Sequence, residues 1–268
     1  MTSCSIGSFT SLKETIHESS PKATISNAKI IIILELHHDE RYQDLEAKIL
    51  KEYYAENSLV LLEAATGTRK FRLIKEKIAR KADITFCAEG WGEPNNQKWL
   101  DEEYAPVNNL MKECLPKLKT PEKFTVEAVE NRIRHIERYM LPGKVAKDTS
   151  PKKLAALAEN KFNKWSDEAL DTSMRIDQKY LVDKIKNCYE KFHKLFIIMG
   201  ALHYTKDFDE KYNDLYQELH DALKGKSYVV IQPENATSDE DNPKDESWMT
   251  TIHKTVLACF HWLRNLLD

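Results

Sequence analysis

Apolar residues along this chain follow two rhythms. Five short runs are continuous and rich in branched aliphatic residues: Lys29–Glu35 (KIIIILE), Ser58–Ala64 (SLVLLEA), Asp83–Ala88 (DITFCA), Lys194–Met199 (KLFIIM) and Ser227–Gln232 (SYVVIQ). Runs of this length without polar alternation predict strands buried on both faces. Between the first three, apolar residues recur every three or four positions. Tyr42, Leu45, Ile49 and Tyr53 predict a helix over Asp39–Asn57, and Phe71, Leu73, Ile74 and Ile78 predict a basic helix over Thr68–Lys81. Two successive strand–helix–strand units imply an α/β fold: a central, mainly parallel or mixed sheet flanked by helices.

The middle of the chain breaks this alternation. Gly90–Asn96 reads as a turn-rich loop carrying Trp91. Leu100–Ser166 is mostly of helical pattern, interrupted near Pro106, Pro116, Pro121, Pro142 and Pro151. It is read as a helical insertion of about residues 100–165 between the third and fourth strands of one domain over 28–233. A long helix is expected over Ser166–Lys191 and another over Asp207–Lys224. Residues 1–27 read as a polar lead-in and 234–247 as an acidic exposed linker. The end, 248–268, has Met249, Ile252, Val256, Phe260 and Leu263 on one side of a helix. That face would dock on the domain or on a second copy, giving a homodimer. With Lys254 and Arg264 as the clearly basic residues there, a membrane surface is a poorer match.

Composition narrows the function classes. With 268 residues, 41% hydrophobic and 31% charged, the chain can bury a real core. A net charge of −3 leaves no electrostatic footprint for nucleic acid. The five cysteines are scattered and form no CxxC pair, so a zinc knuckle or disulfide framework is not expected. No stretch approaches the roughly 20 apolar residues of a transmembrane span. The first residues lack a basic start followed by an apolar core, so no signal peptide is expected and a cytoplasmic location is the default. Delivery by a non-classical secretion route stays open.

Candidate chemistry sits at the strand ends. The first strand runs into Glu35-Leu36-His37-His38 and the fourth into Gly200-Ala201-Leu202-His203; the second ends at Glu63 and the third at Glu89. In open α/β sheets ligands gather beyond the carboxyl ends of parallel strands. Neighbouring strands would therefore place imidazoles and carboxylates along one rim. Such a set can bind a divalent metal or supply a general acid and base without one. Glu63 follows four apolar residues, where an acid is costly unless paired. Trp91 can line a pocket or pack in the core.

In combination these elements resemble the Tiki/TraB, ChaN-like and erythromycin-esterase-like superfamily. Glu35-Leu-His37-His38 is similar to its first GxxH element, Leu59-Val-Leu-Leu-Glu63 to its strand ending in Glu, Arg175-Ile-Asp-Gln-Lys to its Arg-bearing helix, and Gly200-Ala-Leu-His203 to its closing GxxH. The elements occur in the family's order over about residues 29–203. Leu34 stands where the family usually has its first Gly, and Ile176 and Lys179 replace the Asn and Met of the Arg-bearing helix. The resemblance implies an α/β scaffold with divergent activities, among them metal-dependent proteolysis, metal-free lactone hydrolysis and haem binding.

The leading expectation is a hydrolase, metal-assisted, acting on a small-molecule or peptide substrate through an ester or peptide bond. His37, Glu63 and His203 would hold Mn, Co or Zn. Glu35 and His38 would serve in acid–base catalysis, Arg175 would stabilise an oxyanion, and Glu89, Trp91 and Tyr204 would line the ligand site. A second expectation is haem binding with Tyr204 beside His203 as iron ligand, which a Soret band on haem titration distinguishes. A third is a catalytically inactive interaction or effector domain on the same scaffold.

Overall fold

The computed structural model describes residues 13–35, 40–143, 145–146, 148–204 and 212–234. These residues form two compact units. One is a sheet unit built from 13–94 and 177–234; the other is a helical unit over 95–176. The expected histidines at 37 and 38, the terminal helix at 248–268 and most of the acidic linker lie outside the described residues. Among the described residues no helix is long and apolar enough to cross a membrane.

The sheet unit is α/β. Its elements are β1 (Lys13–Ser19), β2 (Ile30–Glu35), α1 (Glu40–Tyr53), β3 (Ser58–Leu62), α2 (Arg69–Ala82), β4 (Ala88–Gly90), the end of a long helix, β5 (Lys194–Gly200), α7 (Asn213–Leu223) and β6 (Tyr228–Glu234). Six strands make one mixed sheet in the order β1-β6-β2-β5-β3-β4. The β6-β2, β2-β5, β5-β3 and β3-β4 pairs are parallel, and β1 runs antiparallel to β6. Strand alternation divides the core between the two faces. Ile31, Ile33, Val60, Leu62, Phe196 and Ile198 pack under α1 and α2, through Ile49, Phe71 and Ile78. Ile30, Ile32, Leu34, Leu59, Leu61 and Met199 pack under the opposite layer, which contributes Leu181, Ile185, Leu219 and Leu223. Burial on both faces is why β2, β3 and β5 read as unbroken apolar runs.

The N-terminal segment departs from its expected role as a lead-in, because residues 13–19 form β1. Its sequence, KETIHES, carries no buried-strand signal because it is an edge strand. The β6 ladder satisfies its backbone on one side, and Ile16 is exposed. The register shifts between Ile16 and Glu18, an irregularity of the kind common at sheet edges. With β1 counted, α2 and a short loop alone join the third and fourth strands. The helices from Pro94 to Cys188 fall between β4 and β5, the strands expected over Asp83–Ala88 and Lys194–Met199, and not between the third and fourth strands of the full count. β4 also starts later than expected: Phe86 is buried in the core, but the ladder to β3 begins at Ala88.

The helical unit contains α3 (Pro94–Trp99), a π-helical turn (Leu100–Tyr104), α4 (Ala105–Lys119), α5 (Val126–Tyr139) and most of α6 (Pro151–Cys188). Its core gathers Met111, Cys114, Leu118, Ile136, Leu154 and Phe162. The prolines punctuate as expected: Pro106 lies in the first turn of α4 and Pro151 opens α6. Pro116, however, sits inside α4 near its end, and the long helix begins at Pro151 rather than Ser166.

Glu18 fastens β1 to the sheet unit. Its Oε2 accepts hydrogen bonds from the hydroxyls of Tyr204 (2.9 Å) and Tyr216 (3.2 Å), its Oε1 accepts from Tyr228, and His220 Nε2 lies 3.5 Å away. Burial by itself raises the carboxyl pKa. The hydroxyls of Tyr228, Tyr204 and Tyr216, with His220, outweigh that and hold it below the usual glutamate range. A depressed carboxyl contributes stability above its unfolded pKa and loses it as pH falls through the folded value. The stability advantage of the wild-type protein over Glu18→Gln is therefore expected to be full near pH 6 and to shrink below about pH 4.5. Chemical denaturation of both proteins across this range checks the sign. A gap that widens on acidification would contradict the assignment.

Candidate functional site

The carboxyl ends of β2, β5, β3 and β4 lie side by side, so one rim collects the segments that leave these four strands. The segment after β3 and the segment after β4 are zipped together. Trp91 N donates to Leu62 O (2.9 Å), Gly92 N to Ala64 O (3.2 Å) and Gly90 N to Thr66 Oγ1 (2.7 Å). Glycine is required at 90, since a Cβ there would stand 1.9 Å from Ala64 O. This close approach positions Glu63 and Trp91 on neighbouring segments.

Glu63 and His203 meet at this rim. Glu63 Oε2 accepts the Gly200 backbone N–H at 2.7 Å, and Oε1 faces His203 Nε2 at 3.8 Å. His203 is 5% exposed, and the Glu63 side chain 17%. The Trp91 indole stands perpendicular to the His203 ring at a centroid distance of 5.1 Å, while its Nε1 donates to Ile198 O at 3.1 Å. Behind the imidazole, His203 Nδ1 lies 3.0 Å from Gln178 Oε1, and Gln178 Nε2 donates to Leu215 O at 3.0 Å. Gln178 is fully buried. Next to it, Asp177 Oδ1 accepts the Glu93 N–H at 2.8 Å and so fixes the loop after β4.

Of the other residues expected at the site, Glu89 and Tyr204 have partners elsewhere. Glu35 ends β2 directly beside Gly200 in the ladder and is 9% exposed. By strand alternation it continues the series Ile31, Ile33 toward the α1–α2 face, whereas Glu63 continues Leu59, Leu61 toward the other. Glu89 lies within β4 and pairs with Lys184, not with Glu63. Burial alone would lower the Lys184 pKa, but the Glu89 carboxylate more than offsets this and raises it. Tyr204 comes directly after His203 in sequence, yet its hydroxyl binds Glu18, and burial and that carboxylate push its phenol pKa well up. The structure therefore assigns Tyr204 to the β1 anchor. Arg175 lies on α6 in the helical unit, with Nε donating to Asp171 Oδ2 at 3.2 Å.

The backbone at two of these strand ends is regular. Leu34 sits in regular strand geometry opposite Met199 and packs in the core at 2% exposure, so no glycine-like conformation is demanded there. Gly200 has φ −59° and ψ 137°, a backbone conformation any residue adopts, and its N–H donates to Glu63.

Among the described residues no three His, Cys, Asp or Glu side chains converge as a metal site. Glu63 and His203 supply two donors, and a tetrahedral ion would need at least a third.

Comparison with protein-family models gives no match, and comparison with curated proteins gives none. Among solved structures, the chain is similar to a succinoglycan biosynthesis protein at 15% identity and a TM-score of 0.34, over 80% of this chain and 72% of that one.

Proposed function

We propose that this chain is a hydrolase of an ester or peptide bond that uses His203 and Glu63 at the sheet rim. The supporting observation is the facing pair of His203 Nε2 and Glu63 Oε1 across 3.8 Å, nearly excluded from solvent. That spacing is too long for a direct hydrogen bond and suits a water molecule donating to both atoms. Nε2 takes one proton from the water as its oxygen bonds to the substrate carbonyl carbon. The Glu63 carboxylate stabilises the resulting imidazolium. When the tetrahedral adduct collapses, the scissile bond breaks and His203 returns the proton to the leaving alcohol or amine. A divalent ion, if held by Glu63, His203 and one of His37 or His38, would polarise the water in place of His203 acting as the base.

The test is a panel of acyl esters, lactones and peptides, each assayed with and without added Mn, Co or Zn. The wild-type chain is expected to hydrolyse at least one class, and His203→Ala to lose about 100-fold or more of that rate. No turnover in any arm, or turnover that survives His203→Ala, sinks the proposal.

A further inference from the structure

The environment of the imidazole carries more than its position. A neutral histidine holds one ring proton, and the partner of one nitrogen decides what the other presents. Here the deciding partner is an amide, which offers an oxygen on one side and an NH2 on the other. The Leu215 carbonyl can only accept, so the Gln178 NH2 must face it. The amide oxygen is then left toward His203 Nδ1, 3.0 Å away. An oxygen acceptor in that place requires a proton on Nδ1, and the lone pair of the neutral ring falls on Nε2, toward Glu63.

We propose that Gln178 is a positioning residue: clamped by the Leu215 carbonyl, it sets the Nδ1–H tautomer of His203 and so presents Nε2 as the basic nitrogen. The alternative amide orientation would put NH2 against Nδ1 and two oxygens against each other at Leu215. Full burial of Gln178 leaves no solvent to rescue such a mismatch, whose cost is that of unsatisfied buried polar groups. Trp91 supports the same arrangement, since the perpendicular indole 5.1 Å away limits rotation of the imidazole. The catalytic meaning of this tautomer rests on the hydrolase proposal, but the tautomer itself does not.

Nitrogen-15 long-range correlation spectra of the histidine-labelled full chain read the tautomer directly, at a pH where the ring is neutral. His203→Ala identifies the signal. Wild-type protein is expected to show Nδ1–H. Gln178→Glu keeps an oxygen for Nδ1 and, protonated, a donor for Leu215 O, so it should retain that pattern. Gln178→Met fills similar space without an acceptor and should shift the ring to Nε2–H or to a mixture. In an active enzyme, kcat of Gln178→Met should fall about 100-fold with KM little changed. A wild-type ring carrying its proton on Nε2, or a folded Gln178→Met protein still in the Nδ1–H form, overturns the inference. Should Gln178→Met not fold, the wild-type and Gln178→Glu spectra decide. An Nδ1–H ring in a chain that hydrolyses nothing removes the function proposal alone. An Nε2–H ring in an active hydrolase removes this inference alone.

Discussion

Glu63→Gln is expected to lower the hydrolytic kcat by about 10²- to 10⁴-fold at close to wild-type stability. The two oxygens of Glu63 face different partners, so the amide can satisfy one and alter the other. Its carbonyl oxygen still accepts the Gly200 N–H, which preserves the contact between the β3 and β5 ends. Its NH2 then faces His203 Nε2 across the same 3.8 Å and presents donors where the carboxylate presented an acceptor, so a water between them can no longer donate to both. The imidazole loses the negative charge that stabilises its protonated form, and the water loses the acceptor that oriented it. Glu63→Ala separates the effects, because it also strips the Gly200 N–H of its acceptor and should cost about 1–3 kcal/mol of stability. Steady-state kinetics with parallel urea denaturation would measure both. An active Glu63→Gln protein would show that Glu63 only braces the backbone.

Trp91→Ala should have the largest effect on stability, about 3–5 kcal/mol. The side chain is completely buried, and its removal opens a cavity between the strand ends and His203. The cavity cannot close easily, because Gly90 and Gly92 already hold the flanking backbone against residues 64–66. Ile198 O also loses the indole donor. Trp91→Phe retains most of the volume, so its cost should be nearer the roughly 1–3 kcal/mol of one unsatisfied carbonyl. Hydrogen exchange of the β5 amides, compared across the three proteins, reports the sheet unit specifically. Unchanged protection in Trp91→Ala would mean that the indole is not a core element.

The sequence made the sheet legible wherever a strand is buried on both faces, as Ile30–Leu34 and Leu195–Met199 are. It hid β1 because an edge strand anchored by one glutamate needs no apolar run. It displaced β4 because Phe86 is buried by packing alone, before the ladder begins. At the site, Glu63 stood out as an acid ending an apolar strand, and His203 as a histidine three residues beyond a strand-ending glycine. Gln178 did not stand out, since an amide among the charged residues of a helix carries no chemical signature. A geometric one existed: Gln178 lies three residues before Leu181 and seven before Ile185, on the stripe that packs in the core. Glu89 and Tyr204 were misleading for the same reason that Glu63 was informative. All three lie at or just beyond strand ends, and only their partners distinguish a rim residue from an anchor.

The strand order has a consequence for how the chain emerges from the ribosome. β2 sits at the middle of the sheet, and both its neighbours, β5 and β6, are encoded more than half the chain later. At about 5–20 residues per second, one hydrogen-bonding edge waits roughly 8–30 s for β5 and the other roughly 10–40 s for β6 to be synthesised. During that interval four consecutive isoleucines and a leucine are without a ladder partner. The nascent protein thus passes through a stage in which its most aggregation-prone segment is complete and its shelter is not. Holding chaperones or a slowed translation rate would change its yield more than its final stability.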